Sequence, residues 1–280
     1  MPASVVDGVI YDITVEQLAR YRGRKVILRA DSGGAVVNAC RATPDADIVC
    51  VQLQGLRGDA DALGGWGHGI PVELTMDDPR TQFPGLYRYG GLVRTHPVRV
   101  TMPVRPGFSR AVRLATALRM AVKLEVGQPT PAAVEELVHV LDLYLHEPSC
   151  RQPIEPFHGA LGALYRGATT TVWDIQEENP AHVRRVDDHG IEGLIRRDTL
   201  GPVDGDPETF VERSGRALRD GPGECRTCEA WATCGGYFKW PRRDYECPGV
   251  RALFRTLAAA AAELRQDVAR ADLAVGGRSA

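Results

Sequence analysis

Five short apolar runs begin at residues 26, 48, 72, 98 and 122, so a β-type segment recurs at a nearly constant interval through the first half of the chain. They span 26–29, 48–52, 72–76, 98–102 and 122–126, with a weaker run at 151–154 and a candidate seventh at 169–175. That interval is too long for hairpins and suits a strand followed by a crossover of a dozen residues or more, the unit of a parallel sheet. The spacing predicts an α/β chain, and a partial (βα)6-type barrel fits it better than an open doubly wound sheet.

The connections are uneven. Residues 109–120 place Val112, Ala115 and Leu118 beside Phe108, and 131–145 follow Thr130 as N-cap with Pro131 at the first helical position. That second helix repeats Val134, Leu137, Val138 and Leu141. The stretches 30–47 and 55–70 are glycine-rich and leave room for short helices only. Asp31-Ser-Gly-Gly-Ala35 lacks the Walker lysine and the Gly-x-Gly-x-x-Gly spacing, and reads as a tight turn. After 175 the chain turns polar, with a helix expected over 207–217. A cysteine block follows, then a last helix over 250–271 carrying Leu253, Leu257, Ala260, Ala261 and Leu264. The expected division is a barrel-like unit over 1–175 and a cysteine-bearing module with linker and terminal helix over 176–280.

Composition narrows the function classes. The 280 residues carry 34 basic and 36 acidic side chains, a balance that gives no reason to expect nucleic acid or an anionic membrane as partner. No apolar run approaches the roughly 20 residues of a membrane helix, and residues 1–7 lack the basic and apolar regions of a signal peptide, so the expected location is the cytoplasm. With fewer than about 25 residues ahead of the run at 26, no separate N-terminal leader-binding domain is expected. Thirty-one of the basic residues are arginine and asparagine occurs twice, a bias that fits GC-rich coding and carries no function.

Seven cysteines, four of them between 225 and 247, are more informative. An odd number in a chain expected in the cytoplasm argues for a metal site over a disulfide framework. Cys225 and Cys228 form a C-x2-C pair, Cys234 follows five residues on, and Cys247 returns before Pro248. Gly235 and Gly236 can offer backbone N–H groups to sulfur, and five aromatics surround the set: Trp231, Tyr237, Phe238, Trp240 and Tyr245. Four thiolates suit tetrahedral zinc or a [4Fe–4S] cluster.

The block resembles the SPASM module of radical-SAM enzymes that mature ribosomal peptides and proteins. The resemblance implies that Cys225, Cys228, Cys234 and Cys247 bind one auxiliary [4Fe–4S] cluster. The family's cysteine for a second cluster falls on Phe238 here, so one cluster is implied. The family's partial βα barrel agrees with the strand interval. Its C-x3-C-x2-C loop, which binds the cluster that cleaves S-adenosylmethionine (SAM), is absent: residues 30–40, the corresponding loop, hold Cys40 alone. The implied protein is a pseudoenzyme that cleaves no SAM. It would partner a true radical-SAM enzyme, and bind a ribosomal precursor peptide, as relay, scaffold or substrate presenter.

Outside the block, Cys40, Cys50 and Cys150 are expected as core or loop thiols. Gln152, Glu155 and His158 gather near an expected strand end, where βα barrels place ligands, although a proline-fixed turn would use the same residues. Glu125 is at another strand end, and residues 173–178 are expected to close the barrel mouth. An alternative reading is therefore a barrel enzyme using Glu125, Glu155 and His158, with the cysteines as a structural zinc or Fe–S knob. A third is a zinc-stapled scaffold.

Overall fold

The computed structural model describes residues 8–193 and 205–276. Its strands are β1 (Ile10–Thr14), β2 (Lys25–Ala30), β3 (Asp47–Leu53), β4 (Val72–Thr75), β5 (Val98–Pro103), β6 (Ala121–Glu125), β7 (Ile154–Glu155), β8 (Val183–Val186) and β9 (Glu192–Gly193). They form one sheet in the order β7-β6-β5-β4-β3-β2-β1-β8-β9, parallel throughout except for the β8–β9 pair. From β1 to β7 each strand lies beside its predecessor. Right-handed crossovers that always advance in one direction leave every connection on the same face.

Alternation within the strands matches this one-sided cover. Ile13, Leu28, Val51, Val72 and Val98 lie in one register row across neighbouring strands, Ala30, Leu53, Leu74, Val100 and Val122 in the next, and all are buried against the helices. The opposite face carries Thr14, Arg29, Gln52, Glu73 and Arg99 in one lateral row, and Thr75, Thr101, Lys123 and Glu155 in the next. One face is hydrocarbon and the other is polar.

The helices are α1 (Gly33–Ala42), α2 (Pro79–Gln82), α3 (Phe108–Ala117), α4 (Pro131–His146), α5 (Phe157–Arg166), α6 (Val172–Ile175), α7 (Phe210–Asp220), α8 (Trp231–Cys234) and α9 (Pro248–Gly276). Ser32 caps α1, its hydroxyl accepting from Ala35 N at 3.3 Å, so the expected tight turn at 31–35 is a helix start. Thr130 caps α4 in the same way, accepting from Ala133 N. Thr130→Ala is expected to lower stability by about 1 kcal/mol in urea unfolding, because one N-terminal N–H loses its partner.

Three expectations need correction. The sheet starts at β1, not at 26, because Ile10–Thr14 pairs with both β2 and β8. The candidate strand at 169–175 is a helical turn: Thr171 and Asp174 form a capping box that fixes α6. The segment beyond 175 is no plain linker, since β8 extends the same sheet beyond β1. Helix α9 packs along α5 and α4 through Val250, Leu253, Phe254, Leu257 and Ala261, whereas Leu264 is exposed.

Candidate functional site

The four clustered cysteines sit on a succession of very short elements. Cys225 lies in the 3-10 turn Glu224–Thr227, Cys228 follows it, Cys234 ends α8, and Cys247 immediately precedes α9. Gly235 and Gly236, at φ 59° and 78°, turn the chain back after Cys234. A Cβ on Gly236 would stand 2.7 Å from a terminal methyl of Leu218, which would have to shift, and the positive φ favours glycine there. All four thiols are free.

Glu224 ties the first and last cysteines together. Its carboxylate accepts from Lys239 Nζ at 2.6 Å and from the Cys247 backbone N–H at 3.1 Å. Lys239 also donates to the Tyr245 carbonyl, and its charge reaches Cys225 and Cys247. Cys234 lies within electrostatic reach of Cys225, Cys228 and Cys247. Its sulfur also accepts from the backbone N–H groups of Gly236 and Phe238. Such N–H donors favour a thiolate at that position.

Burial works in the other direction. It pushes the Cys234 thiol up to about 11 and the Cys247 thiol up to about 12, the latter aided by Glu224 and opposed by Lys239. Cys225 is raised by the same cause. These thiols therefore stay protonated at neutral pH unless a bound cation compensates their charge. Cys225, Cys228, Cys234 and Cys247 are the residues that could hold a metal centre. As placed, no three His, Cys, Asp or Glu side chains among the described residues converge on one ion position.

The cysteine segment is fastened to the sheet's carboxyl edge beyond β6. Gln128 Nε2 donates to the carbonyls of Phe238 and Arg242 at 2.9 and 2.7 Å, and Tyr245 donates to the Pro129 carbonyl at 2.9 Å. Trp173 is 1% exposed and packs edge-on against Tyr237, Trp240 and Phe210, with its Nε1 donating to Gly235 O at 3.1 Å. A gap of only ≈ 20 Å³ remains among Val126, Leu137, Phe157, Phe238, Leu253 and Leu257. The five predicted aromatics are thus partly joint rather than wall: Tyr237, Phe238 and Trp240 pack on the main body.

The other candidate residues assemble only in part. Glu125 ends β6 on the polar face, half-buried. Glu155 ends β7 and caps α5, accepting from Gly159 N at 2.8 Å; burial raises its pKa. His158 is exposed on α5 and pairs with Tyr144 of α4 at 2.8 Å, on the helical layer. Gln152 precedes β7, at its amino end, away from the edge where βα folds bind ligands. Of the expected group, Gln152 thus stands at the opposite end of the strand, whereas Glu155 and His158 remain within electrostatic reach of each other.

An ion-pair network that no motif marks lies on the polar face. Arg99 binds Glu73 and both oxygens of Glu177, at 2.8 and 2.7 Å, and Lys123 Nζ reaches Glu177 at 3.0 Å. Gln52 Nε2 donates to Glu73 at 2.9 Å. Gln176 Nε2 donates to Leu124 O at 2.9 Å, so the 173–178 segment does lie against the sheet. Cys50, expected in the core, is half-buried within the electrostatic reach of this network. The signal was available in the alternation Val72-Glu-Leu-Thr-Met, Val98-Arg-Val-Thr-Met and Val122-Lys-Leu-Glu-Val, which puts a polar residue at every second place.

Among the described residues, no helix is long and apolar enough to cross a membrane. Compared with known protein families, with curated proteins and with solved structures, the chain matches none of them.

Proposed function

We propose that this chain is a catalytically reduced, radical-SAM-like protein that carries one [4Fe–4S] cluster on Cys225, Cys228, Cys234 and Cys247. It assists a true radical-SAM enzyme acting on a ribosomal precursor peptide. The observation that carries the reading is Cys234 within electrostatic reach of the other three free thiols, with backbone N–H groups donating to it and the Lys239 charge reaching both Cys225 and Cys247. When bound, such a cluster supplies one-electron transfer. With a cluster bound, Lys239 would balance thiolate charge and the Gly236 and Phe238 N–H groups would favour the charged form of Cys234, while Glu224 ties Cys247 to the turn that carries Cys225.

A barrel-like body is favoured by the one-sided cover and by the uninterrupted parallel order from β1 to β7. The reduced catalytic role follows from thiol placement. The loop after β1, residues 15–24, contains no cysteine. Cys40, Cys50 and Cys150 lie on α1, on β3 and before β7, where they share no loop.

Anaerobic reconstitution tests the reading. The expected result is about four irons and four acid-labile sulfides per chain, strongly reduced in Cys228→Ala. Incubation with SAM and a reductant should leave the SAM intact. Zinc uptake without iron would remove the electron relay, and SAM cleavage would remove the partner role.

A further inference from the structure

Glu177 sits on the polar face of the sheet as a ligand would. It comes from the segment after α6, not from a strand, and reaches cations that the sheet itself fixes. Arg99 Nη1 and Nη2 donate to its two oxygens at 2.8 and 2.7 Å, a bidentate fork, and Lys123 Nζ adds a third donor at 3.0 Å. That is the geometry by which proteins recognise a carboxylate.

The receiving side is built and rigid. Lys123 is 7% accessible, and Arg99 is anchored from behind by Glu73, which is itself held by Gln52. Glu177, by contrast, keeps 36% of its side chain open to solvent. Its backbone has φ 56°, a left-handed conformation that costs a non-glycine residue energy. Two further groups, almost fully buried, have no hydrogen-bond partner among the described residues. One is Thr101 Oγ1, in register with Lys123 on the same face. The other is Gln176 Oε1, next to Glu177 in sequence. Buried polar atoms without partners are uncommon and point to an absent ligand or water.

We propose that Arg99 and Lys123 form a binding site for a small organic carboxylate, and that Glu177 fills it while no ligand is bound. The charges fit one carboxylate group. With Glu73 retained beside Arg99, the two cations leave room for a single further negative charge, which Glu177 or a ligand supplies. Exchange of one for the other keeps the buried network neutral and lets the 176–179 segment leave its left-handed turn. A phosphate dianion would place excess negative charge against Glu73. The proposal stands whether or not the cysteines hold a cluster.

Removing the Glu177 carboxylate should therefore let an external carboxylate take its place. Thermal unfolding of Glu177→Ala and of Glu177→Gly, which favours the left-handed turn, would be followed in sodium formate and in sodium chloride of equal ionic strength. The expected result is a saturable rise in Tm with formate in both variants, absent with chloride and absent in the parent protein at the same concentrations. Adding Lys123→Met to Glu177→Gly should abolish the rise. Equal responses to formate and chloride, a rise that survives Lys123→Met, or variants that fold in neither salt would overturn the proposal.

Discussion

Arg99→Met is expected to destabilise the protein by about 3–5 kcal/mol at neutral pH, because it leaves Glu73 buried without its cation. The arginine pairs directly with Glu73 and Glu177 together, whereas Lys123 hydrogen-bonds Glu177 and acts on Glu73 only through its charge. Burial alone would push both glutamates up, but Arg99 and Lys123 override it and hold them below the usual carboxylate range. Depressed carboxylates contribute stability that is fully present above their unfolded pKa of about 4.3 and is lost as pH falls through their lower folded values. In Arg99→Met the carboxylates protonate more readily. The gap between parent and variant should be widest near pH 7 and shrink on acidification below about pH 4.3. Urea unfolding of both proteins across that range checks the sign; a gap that widens toward acid pH would refute the assignment.

Trp173→Ala should be comparably costly, about 3–5 kcal/mol, for a different reason. The ring fills the joint between the sheet body and the cysteine segment, touching Phe210, Tyr237 and Trp240. Its loss opens a cavity and strips Gly235 O of its donor, two residues' distance along the chain from the Tyr237 ring that packs on it. Because Gly235 and Gly236 set the turn after Cys234, the effect should reach the thiols. After reconstitution under the conditions above, the variant should retain less iron than the parent, whereas Thr130→Ala, on α4, should retain as much. Unfolding curves and iron content measured on the same samples separate the two effects.

Much of the fold was legible in the strand interval, because a parallel crossover needs a minimum length and these connections meet it repeatedly. Strands β2 to β6 fall where the apolar runs are. Strand β1 was not legible in the same way: Ile10–Thr14 has the required β-branched residues but stands before the regular interval begins. The run at 169–175 failed as a strand because β propensity in Thr-Thr-Thr-Val-Trp is outweighed by local capping between Thr171 and Asp174. β7 shrank to two residues because Pro153 and Pro156 flank it and offer no N–H to a ladder.

By itself, the sequence determined the parallel α/β class and the four-cysteine set. Each depends on spacing, which is local. Tertiary structure alone decided which polar residues meet. Glu73, Arg99 and Lys123 stand 24 to 26 residues apart, and Glu177 lies beyond all three, so no window of sequence contains the network. Only the lateral register of neighbouring strands turns that separation into contact, and only the segment after α6 brings the fourth member to them. The same holds for His158. Its place in sequence beside Glu155 suggested a shared site, but the helix that starts after β7 carries its side chain to the outer layer while Glu155 stays at the strand end.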